Sequence, residues 1–271
     1  MSLVETDWLQ KNLENVKIID CSWHMPQTKR DGFSEYNDQH IPNAIFFDLD
    51  KNSKKDTDLP HMLVNSSSWE KIVSKMGIKN NDKIIIYDNS DVISSCRCWF
   101  NFIYFGHDPK LVQVLNGGLK KWKKEKREVT KDFKNLPMSN YKSFEKEYLV
   151  KSKNLIDQNI NQKLFKVIDG RSKDRFEGKV PEPRKGLRGG SIKDSFCIPF
   201  NLCLNEDKTF KNNDELKNVF KSCLKDIKET SIVFSCGSGV TACVLALAYS
   251  LINDKYQPCI YDGSWSEYGI I

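Results

Sequence analysis

Ser231-Ile232-Val233-Phe234-Ser235-Cys236-Gly237-Ser238-Gly239-Val240-Thr241 is the stretch that decides the fold. Residues 231–235 form an apolar run that reads as a buried strand, and residues 242–249 read as a helix. Cys236 is therefore held at a strand-to-helix turn with Gly237 and Gly239 beside it. Backbone N–H groups can converge in such a turn, and the helix N-terminus adds positive potential. Both effects favour a thiolate. The competing reading is a buried cysteine beside an ordinary glycine turn.

Outward from this turn, the chain repeats itself. Val16-Lys17-Ile18-Ile19-Asp20 returns as Phe165-Lys166-Val167-Ile168-Asp169. Gly77-Ile78-Lys79-Asn80-Asn81-Asp82 precedes one apolar run, and Asp226-Ile227-Lys228-Glu229-Thr230 precedes its counterpart. Leu115-Asn116-Gly117-Gly118-Leu119-Lys120-Lys121-Trp122 is answered by Tyr261-Asp262-Gly263-Ser264-Trp265-Ser266-Glu267-Tyr268. The offset is about 150 residues, which predicts two α/β units of roughly 130 residues each. Strands are expected at 17–20, 44–47, 83–87 and 111–115, then at 166–169, 196–200, 232–235 and 259–261. They alternate with helical stretches such as 69–76 and 216–221. The predicted fold class is α/β: two tandem domains, each a mostly parallel sheet flanked by helices. The expected bounds are 1–130 for the first domain, 131–143 for a polar linker and 144–271 for the second. In such sheets the working loops lie beyond the C-terminal strand ends, where Cys236 stands.

Composition excludes several function classes. A 271-residue chain with 39% hydrophobic and 29% charged residues folds as a globular protein. The net charge of +6 comes from scattered lysines, and the run Lys120-Lys121-Trp122-Lys123-Lys124-Glu125-Lys126-Arg127 reads as a solvated helix end. No aromatic platforms stand in register with the charge, so no nucleic-acid partner is expected. Nine cysteines, an odd number, suggest no disulfide framework. Cys96 and Cys98 have no second pair or histidine at zinc spacing, so no metal is expected, and no cofactor either. No apolar stretch approaches membrane-spanning length. The N-terminus carries Glu5, Asp7 and Trp8 and reads as neither a signal nor a transit segment. A cytoplasmic location is the simplest expectation, with a mitochondrial form as the alternative.

The chain resembles the two-domain rhodanese-type sulfurtransferases, and within them the mercaptopyruvate-using branch. In the first domain the resemblance rests on Cys21-Ser22-Trp23, on residues 40–50 beginning His40-Ile41-Pro42-Asn43-Ala44, on His61-Met62-Leu63 and on Tyr104-Phe105-Gly106-His107. In the second it rests on Arg175-Phe176-Glu177-Gly178, Pro181-Glu182-Pro183-Arg184, the Cys236-to-Thr241 loop and Tyr261-Asp262-Gly263-Ser264-Trp265. It spans almost the whole chain.

The resemblance implies a site between the domains, with only the second supplying the sulfur-carrying cysteine. The first-domain loop offers Asp88 and Asn89 where the second has Ser235 and Cys236. The implied reaction is ping-pong covalent catalysis, in which sulfane sulfur moves from 3-mercaptopyruvate to Cys236, pyruvate leaves, and a small thiol, thioredoxin-like protein or cyanide takes the sulfur. Gly237, Gly239 and Val240 would shape the loop around the substrate. Ser238 and Thr241 could donate hydrogen bonds, Ser238 toward the leaving enolate. Arg175 and Arg184 match the family arginines that clamp the keto-acid, a task suited to the planar guanidinium. Arg188 could add charge, whereas Arg171 reads as a structural ion-pair partner. His40, with Asp31, matches a proposed histidine–carboxylate–serine relay, although a lone histidine is also commonly a satisfied polar group. Asp20 and Asp169 would brace loops.

Neutral Gly237 and Ser238 after the cysteine favour mercaptopyruvate over doubly charged thiosulfate. Thiosulfate sulfurtransferase is the same-class alternative, and a non-enzymatic persulfide carrier or binding module the other. A cysteine phosphatase would need arginine where Ala242 stands, and a P-loop would need Gly-Lys-Ser/Thr. Two departures stand out. Gly190-Ser191-Ile192-Lys193-Asp194-Ser195 lacks the usual histidine and proline, which predicts a more mobile or more basic loop, and the chain stops at Ile271, earlier than relatives usually do.

Overall fold

The computed structural model describes residues 2–271. The chain divides into two compact units. The first comprises residues 2–54, 63–146 and 206–209; the second comprises 55–62, 147–205 and 210–271. The second unit thus takes in a short strap, residues 55–62, encoded within the first repeat.

In the first unit the strands are β1 (Leu3–Val4), β2 (Lys17–Asp20), β3 (Ala44–Phe46), β4 (Ile84–Tyr87) and β5 (Val112–Leu115). They form one parallel sheet in the order β1-β5-β4-β2-β3. Its helices are α1 (Thr6–Gln10), α2 (Gly32–Asp38), α3 (Ser66–Lys75), α4 (Ser95–Tyr104) and α5 (Gly118–Lys124). The second unit repeats the plan with β6 (Val150–Lys151), β7 (Lys166–Asp169), β8 (Phe196–Cys197), β9 (Ile232–Ser235) and β10 (Ile260–Tyr261). Their order, β6-β10-β9-β7-β8, is the same, and all pairs are parallel. Its helices are α6 (Lys153–Gln162), α7 (Lys173–Phe176), α8 (Asn213–Lys221), α9 (Val240–Ile252) and α10 (Ser264–Tyr268).

The central strands β4 and β9 are buried at every residue, as an apolar run covered on both faces requires. Helix α9 is apolar for most of its circumference and is likewise enclosed: residues 242–249 are all buried. Phe220, Phe234, Tyr249 and Tyr256 close the core beside it with edge-to-face rings. Helix α8 starts on a capping box, in which the Asn212 side chain accepts from the Glu215 amide and Glu215 returns to the Asn212 amide.

The edge strands β1 and β6 escaped the sequence reading because two residues give no periodicity. They exist because β5 and β10 offer them a ladder. The polar connector folds back on the first unit: Tyr141 is buried, with its hydroxyl 3.1 Å from the His107 ring, and Thr130 bridges to His40. Among the described residues no helix is long and apolar enough to cross a membrane.

Candidate active site

Strand β9 ends at Ser235, whose carbonyl accepts the Gly170 amide, and delivers Cys236 to the C-terminal edge of the sheet. The next segment is clamped by α10. The Cys236 amide donates to Ser264 Oγ at 3.1 Å, and the Cys236 carbonyl accepts from the Trp265 amide at 2.9 Å. The Gly237 carbonyl accepts from both the amide and the hydroxyl of Ser266, at 2.8 and 2.6 Å. Gly239 lies in the left-handed region, φ 75°, where a side chain is disfavoured, and it turns the chain into α9. Val240 and Thr241 open that helix, so the first-turn amides, which have no intrahelical acceptor, cluster just beyond Cys236. Cys236 itself is 1% exposed.

Gly237 is needed for space. A Cβ added there would stand 3.3 Å from Nη2 of Arg175 and 3.7 Å from Nη1 of Arg184. Two guanidinium groups therefore converge on the backbone next to the thiol. Arg175 is oriented by Glu182 in a two-point contact, Nη2 to Oε2 at 2.5 Å and Nε to Oε1 at 3.2 Å. Glu182 Oε1 also accepts Arg171 Nη1 at 2.8 Å, and Arg171 grips Asp169 and the Gly190 carbonyl. Arg171 is buried over the Trp265 ring at 4.2 Å. The chain Asp169–Arg171–Glu182–Arg175 thus leaves Arg175 20% exposed on a rigid base. Arg188 lies over Trp265 and Tyr268, at 4.6 and 5.7 Å from the ring centres.

Ser238 is buried and connects two elements. Its Oγ receives Arg184 Nη2 at 3.4 Å and lies 3.1 Å from Nδ1 of His61. His61 belongs to the strap, is buried, and has a left-handed backbone, φ 61°, uncommon for a residue with a side chain. Sequence reasoning quoted His61-Met62-Leu63 but gave His61 no role. Glu182 was missed in the same way, within Pro181-Glu182-Pro183-Arg184.

The histidine it did select, His40, is placed otherwise. Its Nδ1 lies 2.7 Å from the Tyr36 carbonyl and its Nε2 3.1 Å from the Asp132 carbonyl. The ring stacks on Tyr36 and is wholly buried. Both nitrogens face backbone acceptors, which hold the ring in place. Asp31 caps α2 through the Ser34 amide, and its bonds to Ser34 hold the carboxyl below its usual range.

The first-unit loop needs a one-residue correction. The Cys21 amide bonds to the Tyr87 carbonyl just as the Gly170 amide bonds to that of Ser235, and the Leu119 amide meets the Asp88 carbonyl as the Trp265 amide meets that of Cys236. Asp88, not Asn89, therefore occupies the position of Cys236. Its buried carboxylate accepts the Ser90 and Ser95 amides. The same superposition of registers sets His40 against Ser191 and Asn43 against Asp194, and Asn43 and Asp194 share a positive φ. The departing 190–195 segment is anchored by buried Ile192, whose carbonyl accepts the Ser195 amide and hydroxyl.

Cys197, Cys203 and Cys259 are poor nucleophiles near neutrality. Burial pushes Cys197 and Cys203 up to about 12 and Cys259 to about 11. Among the described residues no group of three metal-ligating side chains occurs.

The Rhodanese-like domain family matches residues 5–125 and 152–270. The chain is 37% identical to thiosulfate/3-mercaptopyruvate sulfurtransferase 2 of Arabidopsis thaliana, over 98% of this chain and 83% of that one. It is 34% identical to the thiosulfate sulfurtransferase of Rattus norvegicus, over 98% and 91%. A 3-mercaptopyruvate sulfotransferase, SseA of Escherichia coli, superposes with a TM-score of 0.87 at 30% identity, covering 98% of this chain and all of that one.

Proposed function

The chain belongs to the rhodanese-like family and is a sulfurtransferase that moves sulfane sulfur through a cysteine; from this premise we propose that Cys236 is the carrier and 3-mercaptopyruvate the donor. The observation that carries the choice of donor is the convergence of two guanidiniums beside a loop with no basic side chain of its own. Arg175 and Arg184 both reach the backbone at Gly237, and two planar guanidiniums side by side suit the carboxylate and keto oxygen of a keto-acid. No further basic side chain follows Cys236 in the loop to offset a second negative charge.

In the first half-reaction the Cys236 thiolate attacks the donor sulfur. The C–S bond breaks, its electron pair passes to carbon, and Cys236 becomes a persulfide. Arg175 and Arg184 hold the carboxylate and keto oxygen, where enolate charge develops. Arg184 donates to Ser238 Oγ, which directs the Ser238 proton toward His61 or toward substrate. The Ser238–His61 pair supplies the proton that converts the enolate carbon to the methyl group of pyruvate. In the second half-reaction a small thiol, a thioredoxin-like protein or cyanide attacks the outer sulfur and restores the Cys236 thiolate. Gly239, Val240 and Thr241 present the first-turn amides to the persulfide. The setting we propose is cytoplasmic or mitochondrial.

Steady-state kinetics with 3-mercaptopyruvate and with thiosulfate, using one thiol acceptor, tests this. The expected result is a higher kcat/KM for mercaptopyruvate, abolished in Cys236→Ser, with a persulfide on Cys236 by mass spectrometry. A preference for thiosulfate makes the chain a thiosulfate sulfurtransferase. Persulfide without turnover makes it a carrier.

A further inference from the structure

The second unit has a cavity of about 520 Å³ at the opposite end of its sheet from Cys236. It opens where the chain enters β7 and β9, at Phe165, Thr230 and Ser231, and reaches the edge strand β6 and the turn before β10. Four residues of β9, roughly 13 Å of strand, separate it from the thiol. Its size falls within the range of small-molecule sites, about 300–1,000 Å³.

The lining is amphiphilic. Tyr148, Leu155 and Leu164 stand at its mouth, 57%, 41% and 66% exposed, although they are large and apolar. Val233 and Cys259 form part of its inner wall and belong to the hydrophobic core. Burial pushes the Cys259 thiol up to about 11, so at neutral pH it is an apolar wall rather than a nucleophile. Two cations, Lys151 and Lys255, complete the lining, and among the described residues no acidic side chain lines the cavity.

The charge arrangement identifies the occupant. Lysines in the neighbouring segments are neutralised: Lys153 by Asp157, Lys163 by Asp194 and Lys166 by Glu229. Lys151 donates once, to the Tyr148 carbonyl at 3.2 Å, which leaves two of its three protons for a ligand. Among the described residues neither Lys151 nor Lys255 takes part in an ion pair. An apolar wall beside two uncompensated cations is complementary to one class of molecule.

We propose that this cavity binds an amphiphilic monoanion, a hydrocarbon body ending in a single carboxylate, with the body against Leu155, Leu164 and Phe165 and the carboxylate between Lys151 and Lys255. The site is separate from the sulfur-transfer machinery, so it stands or falls without regard to the donor assigned above.

Calorimetric titration of the full chain with decanoate, below its micelle concentration, tests it. Saturable one-to-one binding is expected, weakened about tenfold or more in Lys151→Met/Lys255→Met and in Leu155→Asp. Decanol and decyltrimethylammonium should bind at least about tenfold more weakly than decanoate, because one lacks the charge and the other inverts it. Sulfur transfer in these variants should equal that of the parent, which verifies that they are folded. Absence of saturable decanoate binding overturns the proposal. So does equal affinity in the folded variants, or equal affinity for the cationic amphiphile.

Discussion

Nδ1 of His61 lies 3.1 Å from Oγ of Ser238, and both side chains are buried. The pair can move a proton only to a leaving group that needs one. A pyruvate enolate does; sulfite leaving from thiosulfate does not.

Replacing His61 by Ala, or Ser238 by Ala, should therefore lower kcat with mercaptopyruvate by about 10²-fold or more. Turnover with thiosulfate should fall by less than about tenfold. Stopped-flow measurement of pyruvate release and of persulfide formation reads both. Equal losses on the two donors would reduce the pair to a structural contact.

Glu182 is a positioning residue, because it holds Arg175 and Arg171 at once. Glu182→Gln keeps the shape and removes the charge. It should raise KM for mercaptopyruvate about tenfold while changing kcat less, and cost about 1–3 kcal/mol of stability. Kinetics and urea unfolding measure the two effects separately.

Gly237 has a backbone that other residues can adopt, so Gly237→Ala should fold normally, with Tm within a degree or two of the parent. The new methyl group would stand against Nη2 of Arg175. A drop of about tenfold in kcat/KM is expected, since displacing a clamp by a few tenths of an ångström misaligns substrate. Unchanged kinetics would show that the guanidiniums move aside freely.

Burial in the first unit raises Asp20 from its ordinary 3.8 to about 7. The folded state therefore binds a proton that the unfolded state has released between these two values. Stability linked to Asp20 is fully present below about pH 4 and is lost as pH rises through 7. The difference in unfolding free energy between parent and Asp20→Asn should change by a few kcal/mol between pH 4 and pH 8, since each tenfold difference in proton affinity is worth about 1.4 kcal/mol. A flat difference across that window would contradict the raised value.

The frame was legible because burial leaves a strong signature: 17–20, 166–169 and 232–235 are strands at the residues expected. The Cys236 turn is legible through residue type and spacing, whereas the two arginines stand out only through the resemblance to the family. The one-residue slip at Asp88 arose because both loops are polar and only hydrogen-bond register separates them. His40 draws attention because His40-Ile41-Pro42 matches a segment of the resembling family. His61 reaches Ser238 across 177 residues of chain, through a strap without periodicity, and nothing local announces such a contact.

The strap also bears on how this molecule can be divided. A cut at the polar connector, the natural place to separate the halves of a duplicated gene, would leave Cys236, both arginines and Ser238 on one fragment and His61 on the other. The later half, expressed alone, would keep Cys236, Arg175 and Arg184 yet lack the histidine that lies against the Ser238 hydroxyl.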